Sequence, residues 1–202
     1  MPFDALLEIA DRLGLIETVK AKLLRNPDAA AEKLVAVLGE LSKIYLALEA
    51  ELVRYLSLSF DPAENPADER AVLLTLEGGQ LQGRAMEARG HCHKIWNIYD
   101  RHLRRWFHAA LNPAETDQME KLFQRLAYAD SQMDMAINDL TGWLSKRAQE
   151  TLDLVDDGKL VEANQKIRSA RKDVQATREA VGAAMTSLRK LEGDFLAISG
   201  TV

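Results

Sequence analysis

The dipeptide Asn-Pro occurs three times in this 202-residue chain, and a long amphipathic stretch follows each copy. The copies are Asn26-Pro27, Asn65-Pro66 and Asn112-Pro113. An asparagine at a helix N-cap accepts a backbone N–H of the first turn, and proline fits the next position, where no N–H is needed. Acidic residues follow each pair and suit the positive end of a helix. The pattern predicts three helix starts.

Apolar residues behind these starts recur at alternating steps of three and four, which places them along one face of a helix. We expect a short amphipathic helix over about 3–24 and long helices over about 27–59, 66–111, 113–157 and 159–198. Short connections between long helices favour antiparallel neighbours. The sequence therefore predicts a single all-α domain over residues 1–202, an elongated antiparallel up-and-down four-helix bundle with an extra N-terminal helix. An extended antiparallel coiled coil completed by a second chain is the alternative.

Composition fits a folded protein without disulfides. Apolar residues make up 47% of the chain and charged residues 28%, which is not the composition of a disordered segment. The single cysteine, Cys92, excludes an intramolecular disulfide and suits a reducing compartment. The N-terminus lacks a basic region and a cleavage site, and no apolar run reaches the roughly 20 residues needed to span a bilayer. We expect a cytoplasmic protein with no transmembrane segment.

The segment from residue 94 to residue 108 is the densest candidate for a partner surface. Its basic residues lie beside the aromatic residues Trp96, Tyr99 and Trp106. The candidate surface consists of Lys94, Arg101, Arg104, Arg105 and His108, of which Arg104 and Arg105 are expected to point outward. Arginine beside aromatic residues is typical of interface hot spots and of phosphate contacts. The alternative is that the aromatics are core and the arginines face acidic neighbouring helices.

The histidines and Cys92 do not predict a metal site. His91 and His93 point about 200° apart on a helix, so they do not grip one ion, and no Glu-x-x-His motif is present. His102 falls on the apolar series and is expected to be a buried structural residue, with a functional histidine as the alternative. No Ser-His-Asp arrangement and no nucleotide-binding glycine motif is present. The sequence therefore predicts no metal, no cofactor and no catalysis.

Two adjacent glycines, Gly78 and Gly79, interrupt the second long helix. Together they cost about 2 kcal/mol relative to alanine in a helix interior. They form the candidate hinge.

These observations favour a non-catalytic module for protein–protein interaction or assembly. The expected partner is another protein of unknown identity, and a homo-oligomer also fits. The first alternative is a membrane-perturbing bundle that uses its N-terminal amphipathic helix. The second is a subunit of a nucleic-acid-associated complex that uses the basic second helix, although the net charge of −5 argues against nucleic acid as the main partner.

Overall fold

The computed structural model describes residues 8–9, 12–23, 30–58, 66–128 and 131–200. In these ranges the chain forms helices and short connections with no β-strand, so the all-α prediction is confirmed there. The helices are α1 (Gly14–Leu23), α2 (Ala30–Ser57), α3 (Pro66–Glu77), α4 (Gly79–Ile98), a π-helical turn (Tyr99–Leu103), α5 (Arg104–Ala110), α6 (Pro113–Ala127), α7 (Gln132–Asp156) and α8 (Leu160–Ser199). The predicted caps at Asn26-Pro27 and Asn65 lie outside the described residues.

Two of the predicted long helices are divided. The segment 66–111 breaks at Gly78 and widens at the π-turn, and the segment 113–157 breaks between α6 and α7. The second break occurs because Ser131 caps a new helix, with its hydroxyl accepting the N–H of Asp134 at 3.1 Å. The apolar spacing continues across this break, so spacing alone predicts one continuous helix.

The long helices share one core. α2 packs along α8 and against α4, while α4 also packs against α6 and α7, and α3 packs against α7. The apolar series predicted for the first and last long helices are buried. In α2 the buried residues are Leu34, Leu38, Leu41, Tyr45, Leu48, Leu52 and Tyr55, and in α8 they include Ile167, Val174, Val181, Leu188 and Phe195.

Polar contacts show which residues of neighbouring helices lie opposite each other. Glu49 of α2 meets Arg178 of α8 at 3.8 Å, and Leu58 accepts a hydrogen bond from Arg171 at 3.3 Å. Between the segment from α3 to α4 and α7, Arg89 meets Asp134 at 2.6 Å, and the carbonyl of Glu77 accepts a hydrogen bond from Ser145 at 3.0 Å. In both pairs of helices, the partner's residue number falls as the residue number rises.

The π-turn changes which residues of the second segment face the core. Ile95, Tyr99, Leu103 and Phe107 are buried at steps of four, whereas His102 is exposed and Trp106 is only partly buried. The prediction that His102 is buried is therefore wrong. A π-turn holds about one residue more than an α-turn, so the chain returns to the core one position later than α-helical spacing predicts. The shift places Leu103 in the core instead of an imidazole that would need a hydrogen-bond partner there.

An aromatic cluster lies directly under the π-turn. The ring of Tyr99 stacks on that of Phe123 with centroids 4.4 Å apart, and Phe107 lies 6.2 Å from Tyr99 and 5.9 Å from Phe123. Burial raises the pKa of the Tyr99 hydroxyl to about 12, so the ring stays neutral at physiological pH. Because Phe123 belongs to α6, the stack fixes the π-turn against that helix.

The predicted cap at Asn112 is confirmed. The side chain of Asn112 accepts the N–H of Glu115 at 2.9 Å, and the N–H of Asn112 donates to the Glu115 carboxylate at 3.0 Å. Pro113 follows as the first residue of α6. This reciprocal pair is a capping box, which satisfies two backbone donors at the start of a helix.

We predict that Asn112→Ala lowers the free energy of unfolding by about 1 kcal/mol, because the substitution removes an N-cap acceptor. Thermal or urea unfolding measures the change. Asn97→Ala is the matched control, because Asn97 is an exposed residue in the last turn of α4, which continues directly into the π-turn, and its replacement should leave stability unchanged or slightly raised. Equal melting temperatures for wild type and Asn112→Ala would rule out a stabilising cap.

The π-turn register makes neighbouring residues respond differently to the same substitution. We predict that Leu103→Asp destabilises the fold severely, because it buries an unpaired carboxylate. His102→Asp should change the free energy of unfolding by no more than about 0.5 kcal/mol, as at other exposed positions. Unfolding curves measure both, and a large loss for His102→Asp with little loss for Leu103→Asp would reject the register.

Candidate functional site

The π-turn divides the five candidate surface residues among three sides of the helix. Lys94 lies on the side toward α2, with its amine 3.7 Å from the carboxylate of Glu40. Arg101 and Arg105 lie opposite the buried positions and are exposed. Arg104 and His108 lie on the side toward α6. The structure therefore does not bring the five residues together on one surface.

Arg104 and His108 face acidic groups of α6. Arg104 contacts Glu120 at 3.2 Å and Asp100 of its own helix at 3.4 Å. His108 lines a shallow cleft together with Asp117 and Glu120. Arg104 and Arg105 are both exposed, as expected, but Arg104 is already paired with carboxylates.

Arg101 and Arg105 are the outward pair. Within the described part of the chain, no carboxylate lies within ion-pair distance of either guanidinium. His102, on the same exposed turn, adds an imidazole that the sequence assigned to the core. We call Arg101, His102 and Arg105 the basic face. The basic face lies over the stacked Tyr99 and Phe123 rings, which hold its backbone in place. A fixed backbone lowers the entropy that is lost when a partner binds.

A polar cluster centred on Glu40 adjoins the basic face. The Glu40 carboxylate contacts Nδ1 of His91 at 2.5 Å and the amine of Lys43 at 2.6 Å. Burial opposes the negative charge of Glu40, but hydrogen bonds from Lys43 and His91 outweigh that effect and hold the pKa of Glu40 below its ordinary value. The carboxylate is therefore ionised near neutral pH, and the amine of Lys43 balances its charge.

A cleft of about 540 Å³ opens between α2, α4 and α8 beside this cluster. Its apolar wall is made by Val35, Ala36, Gly39 and Ile98, and its rim includes Lys94 and Asn97. We call it the α2–α4 cleft. Sequence reasoning missed it because a cleft depends on how three helices are spaced, and no residue pattern along one helix reports that spacing.

The candidate hinge lies at a real break between helices. Gly78 has an extended conformation and separates α3 from α4, and its N–H donates to the carbonyl of Leu74 at 3.2 Å. A Cβ added at Gly79 would meet no atom within 4 Å. The hydrogen bond from Ser145 to Glu77 ties the break to α7. Motion at Gly78 and Gly79 stays a prediction.

A second cleft, of about 650 Å³, lies beside this break between α4 and α7. The side chain of Met86, which is 70% exposed, lies on its wall. The cleft also includes Arg89, whose charge is already met by Asp134.

One buried carboxylate was not foreseen. Glu51 is only 3% exposed and pairs with Arg84 of α4 and with Arg54, whose guanidinium lies 3.2 Å away. Desolvation raises the pKa of Glu51 although Arg84 opposes the shift. The sequence feature that indicates the burial of Glu51 is its position three residues after Leu48, on the apolar face of α2. The pair joins α2 to the first turns of α4.

Neither Cys92 nor a cluster of metal-ligand side chains provides a reactive centre among the described residues. Cys92 is buried, and burial raises the pKa of its thiol to about 12, so the reactive thiolate is not formed near neutral pH. No three His, Cys, Asp or Glu side chains in the described ranges lie close enough together to hold a metal ion.

Comparisons with known proteins add no assignment: the chain matches no family model, no curated protein and no solved structure. None of the helices in the described ranges combines the length and apolar content needed to cross a bilayer.

The Glu40 cluster predicts a pH-dependent contribution to stability. Since the folded state lowers the pKa of Glu40 from 4.5, the contribution is present above that pH and is lost as the pH falls through the folded-state pKa. We predict that Glu40→Gln lowers the melting temperature near neutral pH and that its difference from wild type shrinks below pH 4.5. Glu49→Gln is the control, because Arg178 is 3.8 Å away and the loss should be small throughout. A constant Glu40→Gln difference down to pH 3 would contradict the assignment.

Proposed function

We propose that this chain is a non-catalytic interaction module that binds an acidic segment of another protein through the basic face. The proposal rests on two exposed arginines, Arg101 and Arg105. They lie one turn apart, and neither has a carboxylate partner in the described residues. Arginine guanidinium groups favour bidentate contacts with carboxylates and are enriched at interface hot spots. Because the backbone beneath these arginines is fixed, their arrangement favours recognition of a partner over a role limited to keeping the surface hydrated.

We further propose that the module is one elongated antiparallel four-helix bundle. Its members would be α2, the segment from α3 to α5, the segment from α6 to α7, and α8. The descending order of contacts between α2 and α8, and between the segment from α3 to α4 and α7, supports opposite directions for neighbours. α8 contains 40 residues, which corresponds to about 60 Å. In this arrangement the basic face lies near one end of the bundle.

A protein partner fits this surface better than nucleic acid does. Arg104 and Lys94 flank the outward pair, but each of them contacts a carboxylate of the same chain, Glu120 and Glu40 respectively. A phosphate backbone approaching the face would meet these carboxylates as well as the arginines. Nucleic-acid binding typically neutralises many phosphates, whereas this face offers two cations without an acidic partner.

The membrane alternative would require the N-terminal segment to leave the bundle. In α1, Ile16, Val19 and Leu23 are already buried, and Lys20 pairs with Asp194 of α8 at 2.7 Å. Insertion into a bilayer would first have to break these contacts.

The double substitution Arg101→Gln and Arg105→Gln tests the proposal. We predict that it abolishes capture of the partner from the native host while the melting temperature stays close to wild type, because exposed substitutions change stability by about 0.5 kcal/mol or less. The matched control is Arg168→Gln with Arg189→Gln, two exposed α8 arginines that form no ion pair with a described residue. It should keep capture intact.

Equal capture by both double variants would contradict a role for the basic face. Salt-dependent binding of duplex DNA by wild type, lost in the Arg101 and Arg105 variant, would support the nucleic-acid alternative instead.

A further inference from the structure

On the basis of the proposed function, we infer that the α2–α4 cleft is the second half of the partner site and that it takes the apolar face of the same acidic segment. The occupant is an amphipathic helix of the partner protein, with apolar side chains in the cleft and carboxylates against Arg101 and Arg105. A groove between two helices, here α2 and α4, is a surface on which such a helix docks.

The cleft and the basic face are continuous. Lys94 and Asn97 form the rim of the cleft, Ile98 belongs to its wall, and Arg101 follows one turn later. From Lys94 to Arg105 the helix rises by about 17 Å. A partner helix of about three turns would therefore reach both parts of the surface at once.

Charge sets the orientation of the partner helix. The charge of Glu40 within the cleft is balanced by Lys43, and His91 contacts the same carboxylate, so Glu40 does not repel an acidic ligand strongly. Glu192 lies on the α8 side of the cleft, and its carboxylate disfavours acidic side chains there. The carboxylates of the partner are thus directed toward Lys94, Arg101 and Arg105, and the cleft is left to apolar groups.

Gly39 offers a direct way to fill the cleft. A Cβ added to Gly39 would have only the Glu192 carboxylate oxygen near it, at 4.0 Å. The Cβ of a larger side chain at this position therefore meets no backbone, and Gly39 itself lies on the wall of the cleft. Because leucine favours the helix more than glycine does, Gly39→Leu should leave the fold at least as stable.

The test uses two synthetic helical peptides with the same length and the same glutamates. One carries leucines along its apolar face, and the other carries alanines there. Titration calorimetry measures each peptide against wild type, Gly39→Leu, and the Arg101→Gln, Arg105→Gln variant. Gly142→Leu is the control, because Gly142 is exposed on α7 and an added Cβ there also meets no atom within 4 Å.

We expect wild type and Gly142→Leu to bind the leucine peptide roughly tenfold more tightly than the alanine peptide. Gly39→Leu should abolish that difference and keep the alanine-peptide affinity, while the arginine variant should weaken both peptides. Equal binding of the two peptides by wild type, or a difference that survives Gly39→Leu, would overturn the cleft assignment alone. Failure of wild type to bind either peptide would overturn the proposed function together with it.

Discussion

The stacking of Tyr99 on Phe123 is the contact on which the geometry of the candidate site depends. It fixes the π-turn against α6, and the π-turn sets the core residues that follow, Leu103 and Phe107. The π-turn therefore determines which residues between Asp100 and Ala109 face the solvent. A continuous α-helix would bury His102 and expose Leu103. The aromatic core therefore determines the composition of the surface above it.

Charged groups inside the fold complete this arrangement. Glu51 pairs with Arg84 and Arg54 at one end of the α2–α4 interface, and Glu40 binds His91 and Lys43 nearer the other. Removing one member of a mostly buried ion pair is costly, because a charge is left without a partner in a poorly solvated place. These two pairings favour one alignment of α2 against α4. That alignment keeps the cleft open beside Lys94, while Arg101 and Arg105 have no carboxylate partner among the described residues.

The sequence predicted those features that depend on local or periodic information. The Asn112 cap and the buried series of α2 and α8 follow from residue type and spacing along one helix. The turn at Tyr99–Leu103 was missed because its cause is tertiary: the position of Phe123 on another helix selects a wider turn. The break before Ser131 was missed because Ala129 and Met133 continue the apolar spacing across it. Of the candidate surface, Arg101 and Arg105 face outward together, while Arg104 and His108 face acidic residues of α6 that no linear pattern could place.

Cysteine accessibility across the π-turn tests the central claim that this turn builds the basic face. Single cysteines at positions 101, 102, 103 and 104 would be labelled under native conditions with a water-soluble thiol reagent, and the buried Cys92 would provide the unreactive reference. We predict rapid labelling at positions 101, 102 and 104 and strong protection at position 103. Protection at position 102 with rapid labelling at position 103 would show an ordinary α-helical register and would contradict the account.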